Sequence, residues 1–122
     1  MSATSLNAPF QLPQLPDRGD LVAKYFRTLA DPTRLRILQL LRDDGELPVG
    51  EIASRLGISQ PGASNHLACL RWCGFVATRR EHRVVFNFIA DDRVGALLDL
   101  GDALLADNAK HVSACCHTGG VK

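Results

Sequence analysis

The chain has 122 residues, 46% hydrophobic and 22% charged, enough for one modest core but not for two, and ordinary for a globular protein. Its net charge of +1 hides an asymmetry: residues 50–90 hold five arginines against two glutamates (+3), while residues 91–107 set Arg93 against five aspartates (−4). A basic middle beside an acidic end suits one anion-facing surface and a separate partner surface.

No apolar run approaches the roughly 18 residues that a membrane span needs. The start of the chain lacks the basic and apolar stretches of a secretory signal. A cytoplasmic protein with no membrane partner is expected, and its four cysteines are expected to persist as thiols.

Three prolines and several small polar residues make residues 1–18 a flexible arm. Leu21, Val22, Tyr25, Phe26 and Leu29 then recur at helical spacing and predict a helix over 19–30. "ADPTRLRILQLL" opens a second, with Asp31 as its N-cap and Pro32 in its first position. Residues 49–56 form a short third helix, "GIS" a tight turn, and Ser59 caps a fourth that runs to about Cys73. "FVATRREHRVVFNFI" changes period: β-formers flank a charged tip and predict a hairpin. A fifth helix runs from Asp91 to about Ala109, with Val94, Leu97, Leu98, Leu104 and Leu105 as an apolar stripe suited to a dimer surface. The chain thus divides into the arm, a domain over 19–110 and a cysteine-containing tail over 111–122, expected to be mobile.

Helix, helix, helix–turn–helix, hairpin and helix is the order of a winged helix–turn–helix, mainly α with a β-hairpin wing. "EIASRLGISQPGASNHLACL" supplies a short helix, a turn with Gly57 and a second helix that opens on small polar residues. Ser59, Gln60, Ser64, Asn65 and His66 are the candidate contacts to double-stranded DNA from that second helix. Arg79, Arg80 and Arg83 on the hairpin suit phosphate or minor-groove contact.

"LADPTRLRIL", "GELPVGEIASRLGISQPGASNHLACLRWCGFV" and the hairpin resemble the ArsR/SmtB family of bacterial metal-responsive repressors, over roughly residues 21–106. The resemblance implies a homodimer built on the first and last helices that binds an imperfect operator palindrome and leaves it when metal binds. Two of the family's sensor sites are absent here. Pro48 and Gly50 stand where the third-helix thiols would be, and Arg93 and Leu104 where the fifth-helix histidines would be.

Cys69 and Cys73 remain. Residues four apart on a helix have Cβ atoms about 5–6 Å apart, so the pair can hold one ion. Ala63, Leu67, Leu70 and Gly74 mark the core stripe, and the thiols lie roughly 100° around from it. The "CLRWCG" pair resembles the CmtR-like cadmium/lead branch of the family, which implies a third thiolate from the partner's tail. Cys115 and Cys116 are both available for it. Thiolates favour Cd(II), Pb(II) or Hg(II) as inducer, with no organic cofactor. The alternatives are an arsenite-responsive or thiol-redox-responsive repressor of the same fold, or two half-buried residues with no ligand role. No histidine or basic partner sits in a fixed motif about a cysteine, so no enzyme is expected. His66 reads as a DNA contact or capping group, and Trp72 as packing.

Overall fold

A computed structural model describes residues 17–115. The arm is therefore seen only at Asp17 and Arg18, and Cys116 and His117 lie outside the described residues. The elements run α1 (Arg18–Leu29), α2 (Pro32–Asp44), β1 (Leu47–Pro48), α3 (Val49–Leu56), α4 (Gln60–Trp72), β2 (Val76–Glu81), β3 (Val84–Ile89) and α5 (Asp92–Ala114).

Local chemistry sets the helix starts. Asp17, Asp31, Ser59 and Asp91 each cap a helix, their side-chain oxygens accepting otherwise unpaired first-turn N–H groups. Pro32 and Pro61 sit in first turns, where a missing N–H costs nothing. Gly57 ends α3 at φ 68°, a left-handed conformation that a residue without Cβ adopts without strain, and this turns the chain into α4. Ile37, Leu38, Ile52, Ala63, Leu70 and Phe75 are buried at the centre, so α2, α3 and α4 share one core.

The wing has three strands, not two. The sheet order is β1-β3-β2, all antiparallel, with Leu47 opposite Asn87 and Pro48 opposite Phe86. A two-residue strand shows no alternation in sequence, and Pro48 is tolerated because β1 lies at the sheet edge. Buried Asn87 donates from Nδ2 to the Leu47 carbonyl at 3.1 Å. The hairpin is thereby fastened to the α2–α3 connection.

Helix α5 reaches Ala114 instead of ending near Ala109, so His111 is helical. No glycine or proline interrupts the helix after Gly101, and Asn108 and Ser113 bond back to the Leu104 and Lys110 carbonyls. The expected stripe divides in two. Val94 and Leu98 are buried in the protomer, whereas Leu104 and Leu105, with neighbouring Leu100, are about half exposed. Trp72, read as packing, is instead 90% exposed: it ends α4 on the side away from buried Leu67 and Leu70. No helix among the described residues is long and apolar enough to cross a membrane.

Candidate nucleic-acid interface and thiol pair

Burial of Ala63, Leu67 and Leu70 fixes how α4 is rotated. Ser59, Gln60, Ser64 and Asn65 consequently lie exposed along its first turns. The Ser59 hydroxyl oxygen accepts the Gly62 N–H at 3.0 Å, so the hydroxyl hydrogen remains to donate elsewhere. Exposed Arg71 lines a groove of about 160 Å³ between α4 and the wing, together with Ser64 and Val85. Sequence reasoning missed Arg71. Its signal was the seven-residue spacing from Ser64, which puts both on one helix face.

The three wing arginines are not equivalent. Arg79 donates from Nε to Glu46 at 2.6 Å and from Nη1 to Glu81 at 2.9 Å, and lies 4.7 Å from the centre of the Phe86 ring. Hydrogen bonding to Arg79 holds the Glu46 carboxyl below its ordinary range, and the guanidinium is shifted up in turn. Arg79 therefore braces the wing against the turn before β1. Arg80 and Arg83 are exposed and form no ion pair among the described residues, which leaves both open to phosphate.

His66 is half-buried and engaged from behind. Its Nδ1 accepts from Arg34 Nε at 3.3 Å, and Arg34 Nη1 donates to the Thr28 carbonyl at 3.3 Å. A neutral imidazole that accepts at Nδ1 carries its proton on Nε2, so Nε2 is a donor, suited to phosphate and unsuited to a metal ion. Arg34 is itself placed by Asp31, whose carboxylate accepts the Thr33 and Arg34 N–H groups at 2.8 and 3.1 Å. The Arg34 N–H is the main reason that the Asp31 carboxyl lies below its ordinary range.

Cys69 and Cys73 are both half-buried. The Cys73 N–H donates to the Cys69 carbonyl at 3.1 Å, so the helical turn is complete between them although Cys73 only caps α4. Cys73 packs against the core, its Sγ 3.5 Å from Thr28 Oγ1 on α1. Cys115 caps α5. Among the described residues no three His, Cys, Asp or Glu side chains gather as a metal-binding group, so Cys115 does not complete the pair within one protomer. The donor chemistry of the pair fits a soft, thiophilic ion.

A helix–turn–helix whose second helix shows a polar face, beside a wing with open arginines, defines a winged helix–turn–helix DNA-binding regulator. The model of bacterial regulatory proteins of the arsR family matches residues 31–78. A probable mercury resistance operon repressor of Streptomyces lividans is 43% identical over 101 residues, 83% of this chain and 80% of that protein. The transcriptional regulator CmtR of Mycobacterium tuberculosis is 43% identical over 90 residues, 73% of this chain and 75% of that one. A homodimeric winged helix–turn–helix DNA-binding domain from Mycobacterium bovis superposes with a TM-score of 0.67 at 35% identity, covering 80% of this chain and 92% of that one. The chain belongs to the ArsR family: it is a DNA-binding transcriptional regulator, not an enzyme.

Proposed function

We propose that this chain is a homodimeric repressor that leaves its operator when Cys69 and Cys73 take up a thiophilic heavy-metal ion, Cd(II), Pb(II) or Hg(II), so that metal-resistance genes are transcribed. The observation that carries the reading is a half-buried thiol pair, one helical turn apart, at the end of the helix whose opening turns expose polar side chains. The mercury resistance repressor and CmtR among its relatives support it.

In this reading Ser59, Gln60, Ser64, Asn65 and His66 contact operator DNA from α4, joined by Arg71, and Arg80 and Arg83 contact it from the wing. Arg79 holds the wing in place. The two protomers pair through the apolar faces of α1 and α5, where Leu21, Phe26, Leu100 and Leu104 are each more than half exposed. The third thiolate is Cys115 or Cys116 of the partner subunit. Joining the end of α4 to the other chain's tail favours a dimer whose recognition helices no longer match successive major grooves. Coupling of this kind is typically about 1–3 kcal/mol per effector.

The test is operator release, followed by fluorescence anisotropy under reducing conditions, with Cd(II), Pb(II), Hg(II), Zn(II) and arsenite titrated separately. Release at stoichiometric Cd(II), Pb(II) or Hg(II), lost in the Cys69→Ser/Cys73→Ser double variant, is the expected result. Release that survives in that variant overturns the reading. Release by arsenite alone, or by a thiol oxidant without metal, selects one of the rival inducers.

A further inference from the structure

One buried polar residue is absorbed neither by DNA recognition nor by the thiol pair. Thr28 is 6% exposed and stands at the end of α1, where its two polar groups face two different parts of the site. Its hydroxyl lies 3.2 Å from the Lys24 carbonyl and 3.5 Å from Cys73 Sγ. Its carbonyl accepts from Arg34, which also holds His66 on α4. A threonine hydroxyl has one hydrogen to give and lone pairs to receive. With that hydrogen on the Lys24 carbonyl, the oxygen can receive only the S–H of Cys73.

We propose that Thr28 is a positioning residue for Cys73, its hydroxyl accepting from the thiol in the metal-free protein and donating to the sulfur once Cys73 is a metal ligand. This rests on the proposed role of Cys73. On ligation Cys73 loses its proton to water and its sulfur becomes an acceptor only. The Thr28 hydrogen then turns from the Lys24 carbonyl to the sulfur. The carbonyl keeps its ordinary helical N–H partner, so the rotation strands no buried group. Ligation at the end of α4 is thereby felt in α1, a helix with an exposed apolar face. The Thr28 carbonyl continues the connection through Arg34 to His66. The bland account of Thr28 is a threonine bonded back to its own helix, and that account gives Cys73 no part.

Thr28→Val keeps the shape and removes the hydroxyl, while Thr28→Ser keeps the hydroxyl. Two readouts are needed. The first is the infrared S–H stretch of the metal-free protein, with the Cys73 band assigned by its loss in Cys73→Ser. The band is expected to move to higher frequency in Thr28→Val and to stay in place in Thr28→Ser. The second is the ratio of operator affinities without and with a saturating level of whichever of Cd(II), Pb(II) and Hg(II) releases the wild type, in which a general loss of DNA binding cancels. That ratio is expected to fall by about tenfold in Thr28→Val and to be restored in Thr28→Ser. An unmoved band overturns the proposal whatever the metal does, and so does a moved band with an unchanged ratio. If wild type responds to none of Cd(II), Pb(II) and Hg(II), the role of Cys73 fails first and the transmission proposed here fails with it.

Discussion

Arg34 of α2 and His66 of α4 are joined by a hydrogen bond of 3.3 Å across 32 residues of sequence. The same guanidinium reaches the Thr28 carbonyl, so one side chain bridges three helices. Arg34→Ala is expected to weaken operator binding by about 1–2 kcal/mol, roughly tenfold, although Arg34 is not itself a proposed DNA contact. Arg34→Lys should rescue little, because an ammonium cannot span both acceptors as the guanidinium fork does. Anisotropy titration at fixed salt decides it: wild-type affinity in Arg34→Ala would mean that the bond does not position His66.

Salt dependence separates the wing arginines. Arg80→Ala and Arg83→Ala should each reduce the slope of log affinity against log salt by about one, the signature of a lost phosphate contact. Arg79→Ala should keep the slope and lower the melting temperature, since its partners are Glu46, Glu81 and Phe86. A slope that falls in Arg79→Ala would place that residue on DNA after all.

Asp31 ties stability to pH. Its carboxyl is held below its ordinary value of 3.8 chiefly by the Arg34 N–H. A group whose pKa is depressed by folding contributes fully above its unfolded value and loses that contribution as pH falls through the folded one. Asp31→Ala should cost about 1 kcal/mol at neutral pH, as lost caps do. The gap from wild type should begin to narrow below pH of about 4 and go on narrowing as the carboxyl takes up its proton. Urea unfolding at neutral and acid pH measures it, with Asp31→Asn as a variant that keeps a cap and loses the titration. An equal gap at both pH values would show that the carboxylate charge contributes nothing.

The exposed half of α5 makes a prediction about assembly. Leu104→Glu places a charge on a side chain that is 57% exposed in the protomer, so the dimer should dissociate while helix content falls by no more than the exposed distal segment of α5. Sedimentation velocity and circular dichroism together test this. A variant that still sediments as a dimer would move the interface off this face.

What was legible in the sequence was local. Asp31–Pro32, Ser59–Pro61 and Gly57 announce helix boundaries through caps and backbone preference within a few residues, and the structure places them as read. Strand β1 was not legible, because Leu47 and Pro48 acquire their strand character only from Asn87 and Phe86 opposite them. At the site, the pairing of Cys69 with Cys73 follows from helical periodicity. The bonds from Thr28 to Cys73 and from Arg34 to His66 join residues 45 and 32 positions apart and depend on how helices cross. The division among the arginines was hidden for the same reason: "RRE" does not say which guanidinium folds back onto Glu46.

Helix α5 is 23 residues long, about 34 Å, and residues 101–114 are exposed throughout in the protomer. A helical segment with no core of its own is marginal in water, so in the proposed dimer its ordering and the pairing of the chains are one equilibrium. Cys115 rides at the far end of that segment. The reach of a tail thiol towards the other chain's Cys69 and Cys73 is then governed by mass action. A regulator built this way reads its own abundance together with the ion, and dilution alone would blunt its response with every ligand intact.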